Sequence, residues 1–171
     1  MTKSSLNPSQ SSKDGDNAKS AAPKRSLTPR RRAREYALQG VYQSLVVRRA
    51  GSLPNSAAIA KQLAEDPAFK RCQLDLFNGI FQGVLERTDE LEAIITPALD
   101  RPINELSPVE HAALLIGAYE LAADLSVPYK VAINEAVELA KTFGGTDGHK
   151  YVNGVLDLLA QKLRVAETKA D

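Results

Sequence analysis

The sequence predicts an all-α protein, a compact bundle of about six or seven helices behind a disordered basic tail, and three observations carry that reading. Apolar residues recur at helical spacing in segment after segment. No stretch alternates apolar and polar residues as a half-buried strand would, and no hairpin turn joins β-rich runs. With no Trp, five Tyr and four Phe in a chain that is 43% apolar, the core must be built largely from Ala, Leu, Val and Ile, which suits helices.

Residues 1–27 hold seven Ser, no aromatic residue, and only Met1 and Leu6 before Leu27 among large apolar side chains. Such a segment cannot bury enough apolar surface to offset its ordering entropy, so it reads as a disordered tail. The helical domain is expected over 28–166, with a short C-terminal tail at 167–171.

The first helix runs from Thr28, a capping residue, through Pro29, whose missing N–H costs nothing at the first helical position, to a stop at Gly51. Ala33, Ala37, Gly40, Val41, Ser44 and Leu45 share its inner side. A second short helix spans 55–66 with Ile59 and Leu63 inward, and Pro67 ends it. A third over 69–87 carries Leu74, Phe77, Ile80, Phe81, Val84 and Leu85 on a broad apolar stripe and is expected to be the central helix.

Thr88 is positioned to cap a fourth helix, with Asp89 and Glu90 in the first turn and Leu91, Ile94 and Ile95 inward. Ser107-Pro108-Val109-Glu110 has the form of a capping box, opening a helix that is apolar nearly all round and therefore buried. Pro128 opens the next, with Val131, Ile133, Ala136, Val137, Leu139 and Ala140 inward and a stop at Gly144-Gly145. The last begins near Thr146 or Asp147 and carries Val152, Val155, Leu156, Leu159 and Leu163.

The net charge of +1 hides an asymmetry. Residues 1–34 hold nine Lys or Arg against Asp14 and Asp16, whereas the remainder holds thirteen against nineteen acidic residues. The basic end is the part that seeks polyanions. No apolar run reaches the length of a membrane span and the N-terminus lacks a signal-peptide centre, so a cytoplasmic location is expected.

A lone cysteine, Cys72, allows neither an internal disulfide nor a cysteine-rich metal site and reads as a small apolar group. His111, expected on a helix surface, and His149, in a first turn, are not linked to Cys72 or the carboxylates by any catalytic spacing. The sequence therefore points away from an enzyme, a cofactor and a metal.

Two stretches could carry binding chemistry. Arg30, Arg31, Arg32 and Arg34 crowd the start of the first helix, where positive charge is the wrong sign for the helix dipole. Arginine offers a planar fork of donors matched to phosphate, and Tyr42 further along can stack on a base. That reads as an RNA grip, and equally as a solvated basic face with an ordinary surface tyrosine. Gly144-Gly145 then leads into Asp147, His149, Lys150 and Tyr151, where backbone N–H groups and a cation sit beside an aromatic ring. By itself this is also a capped turn with solvated polar residues.

The motifs VPYKVAINEAVELAKTFGG and DGHKYVNGVLD, with LSPVEHAALLIGAYEL and RRRAREYALQGVYQ ahead of them, closely resemble the bacterial transcription antitermination factor NusB family over about residues 29–165. The resemblance implies an all-α, non-catalytic protein. It implies that the chain pairs with the ribosomal protein NusE, binds the single-stranded boxA element of nascent ribosomal RNA, and acts within the RNA polymerase antitermination complex. Carried over onto this sequence, the RNA-facing positions are Arg30, Arg31, Arg32, Arg34, Tyr42, Asp147, Lys150 and Tyr151, and Glu110 matches a position near the partner-protein surface.

Tyr151 stands where the family often has Phe, Leu115 where many members have Arg, and Gly148 where Ser is common. A homodimer covering the arginine face is one form the free protein could take. The related helical domain of ribosomal RNA cytosine methyltransferases fits less well, because a chain ending at Asp171 has no room for the methyltransferase part.

Overall fold

A computed structural model describes residues 27–170; the expected tail over residues 1–26 and the last residue lie outside them. Among the described residues there are eight α-helices, three 3₁₀ turns and no strand. They are α1 Pro29–Arg49, α2 Ser56–Ala64, α3 Leu74–Glu86, α4 Thr88–Ile95, α5 Pro108–Ala123, α6 Tyr129–Phe143, α7 Gly148–Leu163 and α8 Val165–Lys169. The turns are Pro67–Arg71, Thr96–Ala98 and Ile103–Glu105.

The centre is α5. Its residues from His111 through Ala118 are all buried, and α1, α3, α4, α6 and α7 pack around it. Two close approaches make this possible: Gly40 of α1 lies against Phe81 of α3, and Gly117 of α5 against Leu156 of α7. A β-carbon on Gly40 would stand 2.7 Å from the Phe81 ring, and one on Gly117 2.6 Å from Leu156. Glycine is needed there for proximity, not for an unusual backbone.

The local signals at α1 operate as the sequence indicates. The Thr28 hydroxyl accepts from the Arg31 N–H at 3.1 Å. At the other end Gly51 takes φ 83°, with its N–H on the Arg48 carbonyl and the Ser52 N–H on the Val47 carbonyl. That pair of bonds is the Schellman closure, which favours glycine because its φ is positive. Ala33, Ala37, Gly40, Val41, Ser44 and Leu45 are all buried, together with Tyr36 and Leu38.

Several expectations are corrected. The stretch from Phe69 does not start α3: Pro67–Arg71 forms a 3₁₀ turn capped by Asp66, and Phe69 packs edge-on against both Tyr36 and Phe77 at 5.1 Å. Thr88 does not cap α4. Its hydroxyl donates to the Val84 carbonyl at 2.8 Å, closing the end of α3 instead. Val131 and Leu74 are exposed, because the other apolar residues of their helices fill the inward stripe.

The chain also continues past the expected domain end into α8, tied down by Arg164. That buried guanidinium donates to the backbone carbonyls of Glu120, Leu121, Asp124 and Val127 and to the Glu167 carboxylate, using all of its N–H groups. It thus satisfies the open carbonyl end of α5 and the turn leading to α6.

Candidate nucleic-acid interface

The arginines of the first turn of α1 do not all face one way. Arg30 is exposed, and among the described residues it makes only a long 3.4 Å contact to Gln73. Arg31 leans toward α6 and meets Glu135 at 3.2 Å, and that hydrogen bond raises its guanidinium pKa against the opposing effect of burial. Arg32 turns toward the Pro67–Arg71 side, where its charge is felt by Tyr36, Asp66 and Cys72. Its guanidinium has no partner among the described residues.

Arg34 is the exception to the predicted surface. It is 2% exposed, and its Nε and Nη2 donate to the two carboxylate oxygens of Glu120 on α5 at 2.8 and 2.9 Å. Burial pulls its pKa down, but the hydrogen bonds and charge of Glu120 outweigh this and the net shift is upward. With both its fork and its exposure used up, Arg34 cannot contact a ligand in this structure. It fastens the arginine-bearing turn to the central helix.

From Arg31 a continuous seam can be followed between α1 and the end of α6. Arg31, Glu35, Glu135, Glu138, Leu139 and Thr142 line a small cleft of about 130 Å³. Burial raises the Glu35 pKa, opposed by Arg32 and Arg31. Further along, Tyr42, Gln39, Gln43, Val109 and Phe143 surround an open depression of about 350 Å³. Tyr42 is 40% exposed there and Phe143 37%, so both side chains reach solvent.

Glu110 lies next in the seam. The Ser107 hydroxyl accepts from its N–H at 3.2 Å, as the capping motif requires, while its carboxylate fills the space beside Gly148 at the start of α7. A β-carbon on Gly148 would stand 2.6 Å from the Glu110 Oε1. Any side chain at position 148 would displace that carboxylate. Leu115, by contrast, is fully buried core, so an arginine has no room at that position here.

The α7 residues behave unequally. Asp147 does not cap the helix with its side chain; it meets Lys150 at 3.3 Å, both groups largely in solvent. Tyr151 is half-buried. Its hydroxyl donates to the Asp100 Oδ1 at 2.9 Å and accepts from the Asp100 N–H at 3.3 Å, and the Arg101 guanidinium lies 4.5 Å above its ring. Burial first, then Asp100, pushes its pKa upward.

Asp100 and Arg101 were not legible as neighbours of Tyr151. They sit in a turn between two prolines, and no local periodicity links that turn to a helix 51 positions later. His111 is likewise not on the surface. It is buried, with Nε2 at 2.9 Å from a Glu92 carboxylate oxygen and Nδ1 at 3.1 Å from the Arg49 guanidinium. Since Arg49 can only donate, the network assigns the proton to Nε2. Burial, the largest influence, holds its pKa below the usual histidine value, with Glu92 acting the other way.

Among the described residues no group of three His, Cys, Asp or Glu side chains could hold a metal ion, and no helix is long and apolar enough to cross a membrane. The arrangement is suited to phosphate and base contact: guanidinium groups at the start of a helix packed on the core, with the exposed Tyr42 further along it.

Comparison with known proteins agrees with the geometry. The chain is 49% identical over 150 residues to a transcription antitermination protein NusB of Methylobacillus flagellatus, covering 88% of this chain and 94% of that one. It is 48% identical over 157 residues to the same-named protein of Ralstonia pickettii, covering 92% and 97%. Among solved structures it superposes on T. maritima NusB with a TM-score of 0.66 at 29% identity, over 80% of this chain and 94% of that one. At 24% identity, and so as a likeness of fold alone, it also superposes with a TM-score of 0.66 on a chain from a structure of antitermination factors NusB and NusE in complex with double-stranded RNA, over 78% and 97%. The NusB family model matches residues 31–161, most of the chain, and the chain therefore belongs to the NusB family.

Proposed function

We propose that this chain is a non-enzymatic, RNA-binding antitermination factor of the cytoplasm. Together with the ribosomal protein NusE it binds the single-stranded boxA element of nascent ribosomal RNA transcripts and helps RNA polymerase resist termination. The observation that carries the reading is the rigid mounting of the cationic turn. Arg30, Arg31 and Arg32 project from a helix locked to the core through Arg34 and Glu120, at the head of a seam with Tyr42 along it. In this reading arginines neutralise phosphates, Lys150 and Asp147 border the strand, and Glu110 faces the partner protein.

Binding of labelled boxA RNA, a scrambled strand and an RNA duplex is to be measured with and without purified NusE across a salt series. BoxA should bind tightest, NusE should tighten it further, and log affinity should fall with log salt by about 0.7 per phosphate contacted. A flat salt response, or equal affinity for scrambled RNA in the presence of NusE, overturns the proposal. Mass measurement with and without RNA tests whether a homodimer covers the arginine face.

A further inference from the structure

We propose that Arg101, stacked on Tyr151 and held by Asp100, is a further RNA-binding residue whose outer guanidinium face receives an unpaired base. The inference rests on the RNA-binding reading above and extends it to the turn between α4 and α5, which none of the sequence motifs includes.

Three features of the turn converge. The guanidinium lies 4.5 Å above the Tyr151 ring, a cation–π distance, so its inner face is covered by an aromatic plane. Asp100 Oδ1 accepts both from Arg101 Nε at 2.9 Å and from the Tyr151 hydroxyl at 2.9 Å, which fixes the plane of one group against the other. Only Nε is engaged: neither Nη group has a partner among the described residues, and the side chain remains 45% exposed.

An arginine on a surface ordinarily explores many rotamers and loses that freedom on binding. Here the freedom is already restricted, so a base that stacks on the outer face meets a flat, cationic, pre-oriented surface. The Nη edge remains available to a phosphate or to base-edge acceptors of the same strand. Tyr151 then acts as the backing of the platform, which accounts for a ring at that position whose own face is occupied. Phenylalanine would back the guanidinium equally well, losing only the two hydrogen bonds to Asp100.

The test uses the full chain with single-stranded boxA RNA carrying 2-aminopurine at successive positions, and compares Arg101→Ala, Arg101→Lys and Arg32→Ala. The expected result is one position whose fluorescence is quenched on binding to the wild type. That quenching should be lost in both Arg101 variants, with affinity reduced about tenfold or more. Melting curves should stay unchanged, since the Arg101 and Asp100 side chains are exposed. Arg101→Lys keeps the charge but not the plane, so wild-type binding and quenching by that variant would overturn the platform. Loss of NusE binding with RNA binding intact would overturn it too, assigning the turn to the protein partner. If the wild type binds and Arg32→Ala weakens it while Arg101→Ala does not, this inference alone fails. If the wild type binds no strand at all, the functional reading fails with it.

Discussion

Arg34 and Glu120 meet through two parallel hydrogen bonds of 2.8 and 2.9 Å inside the protein, one from the helix that carries the cationic turn and the other from the buried central helix. The carboxylate is 1% exposed and the guanidinium 3%, so each charge depends on the other for compensation. Breaking such a pair leaves an uncompensated buried charge.

Arg34→Ala should therefore cost about 3–5 kcal/mol in urea unfolding. Arg32→Ala, with no ion pair to lose, should stay within about 0.5 kcal/mol and change RNA affinity instead. Equal stability losses for the two variants would refute the assignment of Arg34 to the interior.

Glu135 holds Arg31 at 3.2 Å, and on the proposed reading it competes with phosphate for that guanidinium. Glu135→Gln should raise affinity for single-stranded RNA, by less than about tenfold for a partly exposed pair. Fluorescence anisotropy at low salt checks it, and weaker binding would mean that Arg31 has no part in the grip.

His111 contributes a pH dependence whose sign follows from its lowered pKa. The folded state favours the neutral ring, so this contribution is complete above the unfolded value of about 6.5 and is lost as pH falls through the lower folded value. Denaturation of the wild type and of His111→Gln should show a stability gap that narrows on acidification below about pH 6.5. A gap constant from pH 8 to about 5 would contradict the buried neutral assignment.

Gly40→Ala tests the approach of α1 to α3. The added carbon meets the fully buried Phe81 ring at 2.7 Å, with the buried Leu63 also close at 3.2 Å. A loss of about 1–3 kcal/mol is expected from overpacking. An unchanged melting temperature would show that the contact is looser than described.

What could be read from the sequence was what neighbours in sequence determine. Thr28 and Gly51 bound α1, Ser107 and Pro108 open α5, and the all-round apolar character of α5 marks it as buried, although the broad apolar stripe of α3 pointed to that helix as the central one. What could not be read depends on distant pairings. Arg34 is the same residue type as Arg30, Arg31 and Arg32, and only Glu120, 86 positions away, removes it from the surface. His111 looks like a surface residue until Glu92 and Arg49 close around it, and Thr88 has the chemistry of a cap but serves the helix before it. At the candidate site the cationic turn and the Gly-Gly loop were visible as motifs. The ring of Tyr151 was visible too, but not the turn that lies over it.

The five-donor closure made by Arg164 sets an order on folding. The carbonyls of Glu120, Leu121, Asp124 and Val127 stay open to water until a side chain some forty residues downstream arrives. During synthesis the central helix is therefore translated well before its own terminator. A growing chain holds an incomplete body until its last stretch emerges, and a protein shortened to Leu163 would carry the frayed end permanently.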